Sequence, residues 1–184
     1  MPLPRIITKA FELARQPGET DESQYYGPYN LLLTYFFPYE EEYMVVPQYK
    51  RPEQLKSVDF TTIFLVRHNA HPVFFIEVKS SSGLHGVSSR KNADLQMRER
   101  FDNLFEDVAI GTLYGASAMG TKICIYELDR TSRRLTPTLI PSDPELVTDT
   151  APANRWDIDL LTPEGEEQFR EIVQRVKKLS TELE

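Results

Sequence analysis

The chain has 184 residues, of which 40% are hydrophobic, and a formal net charge of −7. This length predicts one domain with a sizeable core, and the acidic balance disfavours a protein that grips long DNA over its whole surface. Cys124 is the single cysteine, so an internal disulfide is excluded, and neither a signal peptide nor an apolar run of membrane-spanning length is found. We therefore expect a soluble protein of a reducing compartment, the cytoplasm or the nucleus.

The N-terminal part of the chain predicts two helices followed by a strand. Residues 1–20 form a helical arm that ends at a Pro-Gly pair, and 28–37 form a second helix with an apolar stripe. That stripe consists of Tyr29, Leu32, Leu33 and Phe36. The run over 43–49 is extended, and its proline indicates an edge strand or a strand end. The second helix is thus expected to pack on a core that includes this strand.

Two strongly apolar strands are predicted over 58–67 and 72–80, joined by a tight turn. Both carry apolar residues on both faces, so the sheet must be covered on each side by helices. A long helix over 89–107 follows. We predict an α/β domain with a mixed central sheet of four to five strands flanked by helices on both faces.

The C-terminal half completes the predicted domain. The segment 111–120 is small and glycine-punctuated, and its pattern fits either a short helix or a close-packed connector. A strand is expected over 122–128, and a possible further strand over 135–140 is weakened by a proline. A closing helix over 163–180 begins at a threonine and a proline in the N-cap and first positions. One domain is therefore expected over 1–184.

The apolar hairpin carries the candidate site. If the turn is a three-residue loop, Arg67 pairs with His71 and Asp59 faces Lys79, with Glu77 placed diagonally on the same face. Two carboxylates and an amine then converge at one end of the hairpin. Such a set can hold a divalent cation and activate a water against a phosphodiester.

Asp59, the Glu77-x-Lys79 pair at the end of an apolar strand and a following helix that bears Gln96 resemble the PD-(D/E)XK nuclease superfamily. The order of elements agrees with that family over about 23–128. The resemblance implies a restriction-endonuclease-like core and a nuclease activity on nucleic acid. The full chain also resembles a group of proteins from mushroom-forming fungi, and that likeness carries no activity with it.

Hard-cation chemistry assigns roles to these residues. Asp59 and Glu77, with a backbone carbonyl such as that of Val78, would bind Mg²⁺ or Mn²⁺ through oxygen, and Lys79 would orient or help deprotonate the water. The resemblance makes Gln96 a catalytic or substrate-positioning residue, and helical spacing adds Arg100. Further basic residues for a phosphate backbone follow the site, namely Arg90 and Arg98.

Several alternatives remain open in the sequence. Glu77 and Lys79 could be a solvated pair at a fraying strand end, and Asp94 a residue of a solvated helix face. Glu22 could supply the additional carboxylate that a helix before the sheet often provides in the resembled family, or could be an N-terminal capping acid. The protein could be a catalytically silent binding or scaffold protein, or a hydrolase of small phosphate esters. DNA or RNA could be the substrate, and a homodimer or a protein partner is possible.

Overall fold

The computed structural model describes residues 2–15, 20–47, 62–143, 145 and 148–183. This part of the chain contains four α-helices and seven strands. The helices are α1 (Arg5–Ala14), α2 (Tyr26–Phe36), α3 (Val87–Leu104) and α4 (Pro163–Ser180). The strands are β1 (Tyr43–Pro47), β2 (Thr62–His68), β3 (His71–Lys79), β4 (Thr112–Met119), β5 (Lys122–Asp129), β6 (Leu135–Thr136) and β7 (Ile158–Asp159).

The described strands form one mixed sheet in the order β1-β2-β3-β4-β5-β6, with β7 paired to β5. Only β3 and β4 are parallel among the described pairs, and α3 makes the crossover connection that a parallel pair requires. The predicted mixed sheet is confirmed. The expected number of four to five strands was too low, since β4 was not predicted as a strand and β7 was not predicted at all.

The β2–β3 hairpin has a two-residue turn, which corrects its predicted register. Asn69 and Ala70 form the turn, with φ values of 47° and 68° that fit the primed turns of tight hairpins. The predicted pairing of Arg67 with His71 is wrong: Arg67 pairs with Pro72, and a bulge follows between Val66 and Arg67. Beyond the bulge Glu77 pairs with Ile63. The expected partner of Asp59 was Lys79, and Asp59 itself lies outside the described residues.

Strand β4 is built from small side chains because large aromatic rings pack against it. A Cβ atom added to Gly115 would lie 2.7 Å from the Phe75 ring and 2.9 Å from the Phe101 ring. The two rings themselves meet edge to face, with centroids 4.8 Å apart. The segment 111–120 therefore contains an interior strand, whereas the sequence predicted either a short helix or a close-packed connector.

Helices cover both faces of the sheet, as predicted. On one face Phe101 of α3 packs on Phe75 of β3. On the other face Phe169 of α4 lies between Phe74 of β3 and Phe36 of α2, at centroid distances of 6.1 and 5.5 Å. Helix α4 begins as expected, since the Thr162 hydroxyl accepts a hydrogen bond of 3.1 Å from the backbone N–H of Gly165. Glu77 and Lys79 lie on the same face of β3 as Phe75, which is the face covered by α3, and Phe74 lies on the opposite face.

The N-terminal helix α1 packs on α2 through Phe11 and Tyr29, whose ring centroids are 5.0 Å apart. Its buried residues are Ile7, Phe11 and Ala14. The arm thus belongs to the same hydrophobic core as the sheet. None of the helices in the described ranges combines the length and the apolar composition that a membrane crossing needs.

Candidate functional site

Glu77 is a buried carboxylate near the C-terminal end of β3. Its side chain is 1% exposed, and neither carboxylate oxygen accepts a hydrogen bond from the described residues. Two cations lie near it: Lys79 Nζ is 3.5 Å from Oε1, and Arg100 Nε is 3.9 Å from Oε2. Both distances exceed the roughly 2.7–2.9 Å of a charge-assisted hydrogen bond. The alternative of a solvated pair at a fraying strand end is therefore wrong for Glu77.

The environment of Glu77 pulls its pKa in two directions. Burial, the largest effect, raises the pKa because it disfavours the charged carboxylate. The positive charges of Lys79 and Arg100 lower it, and the negative charge of Glu22 raises it further. The net result is a raised pKa. The charged form of such a carboxylate is stabilised by any additional positive charge that reaches its oxygens.

Helix α3 brings a polar stripe to this carboxylate. Gln96 and Arg100 are one helical turn apart and therefore share a face, and Arg100 contacts Glu77 directly. The crossover helix runs antiparallel to β3, so that the residues before Arg100 on the helix lie beside the residues after Glu77 on the strand. One helical turn rises about 5.4 Å and two strand residues rise about 6.6 Å. Gln96, one turn before Arg100, is therefore expected at the level of Lys79, two residues after Glu77. The Oε1 atom of Gln96 is buried and finds no hydrogen-bond donor among the described residues.

Glu22, from the N-terminal part of the chain, is a second acid near this site. It opens a short 3-10 turn, Glu22–Tyr25, that packs on β3. Asp21 is the N-cap residue of this turn and accepts a hydrogen bond from Ser23 N, while Glu22 lies in the first turn, where an acid is favoured at a helix N-terminus. The carboxylate of Glu22 accepts a 3.1 Å hydrogen bond from the Tyr26 hydroxyl, and its negative charge raises the pKa of Glu77.

Arg90 is used inside the protein. Its guanidinium, 5% exposed, donates hydrogen bonds to the carbonyls of Leu84 and Ala151 at 2.7 and 2.8 Å, and to Asp149 Oδ2 at 2.6 Å. These bonds tie the loop after Lys79 to the segment before β7. The described contacts of Arg90 thus give it a structural role, and its predicted contact with substrate stays a prediction.

Arg98 belongs to a second internal network, centred on Asp94. Asp94 is 2% exposed and accepts hydrogen bonds from Arg98 at 2.9 and 3.1 Å, from Arg155 at 3.0 Å and from the Tyr126 hydroxyl at 2.8 Å. The interpretation of Asp94 as a residue of a solvated face is therefore wrong. Arg98 also donates to the carbonyl of Pro137 at 2.8 Å. Its predicted substrate contact, like that of Arg90, stays a prediction.

A sequence signal for these internal networks existed. Arg90, Asp94, Met97 and Phe101 are spaced by four, three and four residues, so they lie on one stripe of α3. Met97 and Phe101 were assigned to the core, and the two charged residues share their face. A charged residue on an apolar stripe is expected to be buried with a partner.

The carboxylate oxygens of Glu77 are the type of ligand atom that a hard cation prefers. Its two carboxylate oxygens accept no hydrogen bond from the residues that the structure describes, and Mg²⁺ and Mn²⁺ prefer oxygen ligands. Over the described ranges no group of three His, Cys, Asp or Glu side chains converges in a way that could hold a metal. Asp59, the predicted second ligand, lies outside those ranges. The backbone of Val78 pairs with Thr62 on one side and Ala118 on the other, and its predicted carbonyl ligand stays a prediction.

Comparisons with known proteins assign no family: no family model, no curated protein sequence and no solved structure matches the chain. Function must therefore be argued from the residues. Lys79 and Arg100 lie 3.5 and 3.9 Å from Glu77, Gln96 shares the helix face of Arg100, and the charge of Glu22 influences Glu77. This arrangement presents a buried carboxylate together with two basic side chains that can contact an anionic ligand.

Proposed function

We propose that the protein is a metal-dependent phosphodiesterase that hydrolyses nucleic acid on a PD-(D/E)XK-like, restriction-endonuclease-like core. The observation that carries the proposal is Glu77, a 1% exposed carboxylate that accepts no hydrogen bond within the described part of the chain, with Lys79 beside it on the same strand face. A carboxylate is costly to bury in this state. Sites that sacrifice stability in this way are typical of function.

The order of the described elements supports the same proposal. A hairpin carries the acid and the lysine, a crossover helix follows, and the next strand lies parallel to the strand that bears them. This arrangement sets the polar stripe of α3 over the C-terminal end of β3, where Glu77 and Lys79 lie. Ligands of open α/β sheets commonly bind at this end of the strands.

In the proposed mechanism Glu77 and Asp59 would hold the cation, with the carbonyl of Val78 as a further oxygen. When bound, Mg²⁺ or Mn²⁺ supplies a Lewis acid for the phosphate and lowers the pKa of a bound water. Lys79, 18% exposed, would orient the attacking water or help deprotonate it, and its charge would offset the negative charge of the transition state. Gln96 and Arg100 position the phosphate.

A catalytically silent binding or scaffold protein is the second candidate, and one observation favours it. Lys79 and Arg100 already place two positive charges beside Glu77, so the carboxylate is partly neutralised without a metal. The net charge of −7 also disfavours extended contact with a phosphate backbone. Such a protein should be indifferent to divalent cations, and the enzyme should not.

The test is a cleavage assay in Mn²⁺ with mixed single-stranded and double-stranded DNA and RNA. We expect cleavage by the wild type and loss of turnover in Lys79→Ala, in which Mn²⁺ still binds. Lys9→Ala removes an exposed lysine of α1 and serves as the charge-matched control, with activity retained. No cleavage by the wild type, or equal cleavage by Lys79→Ala, would contradict the proposal.

A further inference from the structure

Arg100 holds an unusual position for a residue that should bind substrate. Its Nε atom lies 3.9 Å from Oε2 of Glu77, one of the two oxygens that the proposed metal site would use. Lys79 approaches the other oxygen, Oε1, at 3.5 Å. Both carboxylate oxygens thus already face a positive charge.

A divalent cation at Glu77 would be attracted by the carboxylate and repelled by both neighbouring cations. At separations of a few ångströms, and with the reduced screening of a buried site, such repulsion is a large effect. Arg100 is better able to relieve it by moving than Lys79. Arg100 reaches the site from a helix on a long side chain that is 26% exposed, whereas Lys79 extends from the same strand as Glu77 and is 18% exposed.

We propose that Arg100 is, together with Lys79, a resident counter-cation of Glu77 in the metal-free protein, and that a divalent cation displaces Arg100. The displaced guanidinium then becomes available to a phosphate oxygen of the substrate, for which its planar fork is well suited. This inference rests on the proposed function, because it requires that a cation binds at Glu77. It adds that Arg100 opposes metal binding.

The inference predicts that removal of the Arg100 charge tightens metal binding. We expect Arg100→Gln to lower the Kd for Mn²⁺ by about tenfold, a size typical of coupling between two sites. A residue that only positions substrate, or only supports the fold, would leave the Mn²⁺ affinity unchanged or weaken it. Arg100→Lys keeps the positive charge and should stay close to the wild type.

The experiment is a calorimetric titration of the full chain with MnCl₂ in the absence of nucleic acid. Arg100→Met provides a second charge-removing variant that keeps an apolar stem, so the test stands if Arg100→Gln folds poorly. Lys91→Gln removes an exposed cation from the same helix and corrects for the general change in net charge.

Tighter Mn²⁺ binding in a folded charge-removing variant than in Lys91→Gln and Arg100→Lys supports the inference. If the wild type binds Mn²⁺ and the charge-removing variants bind it equally or more weakly, the role of Arg100 is refuted and the proposed function stands. If neither the wild type nor any variant binds Mn²⁺, both are refuted.

Discussion

Replacement of Glu77 by Gln should stabilise the metal-free protein at neutral pH. The charged carboxylate is 1% exposed and accepts no hydrogen bond from the described residues, which costs about 1–3 kcal/mol. Its two long ion pairs each offset at most about 1 kcal/mol of this burial cost. The net gain expected for Glu77→Gln is about 1 kcal/mol, which corresponds to a rise in Tm of about 2–4 °C for a chain of this size.

The gain should depend on pH in a defined direction. The pKa of Glu77 is raised above its ordinary value of 4.5, first by burial. Since the folded state holds this proton more tightly than the unfolded state, the stabilisation is complete below 4.5 and is lost as pH rises through the raised pKa. The difference between Glu77→Gln and the wild type should therefore be smallest at pH 4 and should increase as pH rises through the raised pKa.

Thermal melting in a chelating buffer over this pH range measures the effect. Glu12→Gln removes an exposed acid from α1 and is the matched control, for which we expect no comparable gain. A Glu77→Gln variant that melts below the wild type at pH 7, or a difference that does not vary with pH, would refute the account of Glu77 as a costly buried charge.

Two further predictions concern the packing around the site. Asp94→Asn removes the buried anion of two partly buried arginines and should cost about 3 kcal/mol in urea denaturation, whereas Tyr126→Phe, which removes one donor, should cost about 1 kcal/mol. Equal losses in the two variants would mean that Asp94 is not the centre of its network. Gly115→Ala should cost about 1–3 kcal/mol because its Cβ would meet the Phe75 ring at 2.7 Å. An unchanged denaturation midpoint would show that the rings can move aside.

The sequence predicts those elements whose apolar residues form a clear pattern. The helical stripe of α2 and the short, continuous run of β-branched and aromatic residues in β3 identify both elements to within a few residues. Strand β4 lacks such a signal. Its residues are small because the rings of Phe75 and Phe101, which come from other parts of the chain, occupy the space beside it. Its identity as a strand is a consequence of tertiary packing.

Register and side-chain partners are less predictable for related reasons. The turn at Asn69 and Ala70 contains no glycine, so its two positive φ values have no strong sequence signature. Arg90 finds its partners at Asp149 and Ala151, in a loop without periodicity. In contrast, Glu77 and Lys79 are two residues apart on one strand, and their shared face follows directly from strand geometry.

The central claim is that Glu77 holds a divalent cation, and the most direct measurement is the Tm of the wild type and of Glu77→Gln with and without millimolar Mn²⁺. A ligand at ten times its Kd stabilises the folded state by about 1.4 kcal/mol, so the wild type should melt about 3–6 °C higher in Mn²⁺. Glu77→Gln should show no such rise. The claim is contradicted if the wild type does not respond to Mn²⁺, or if Glu77→Gln responds equally.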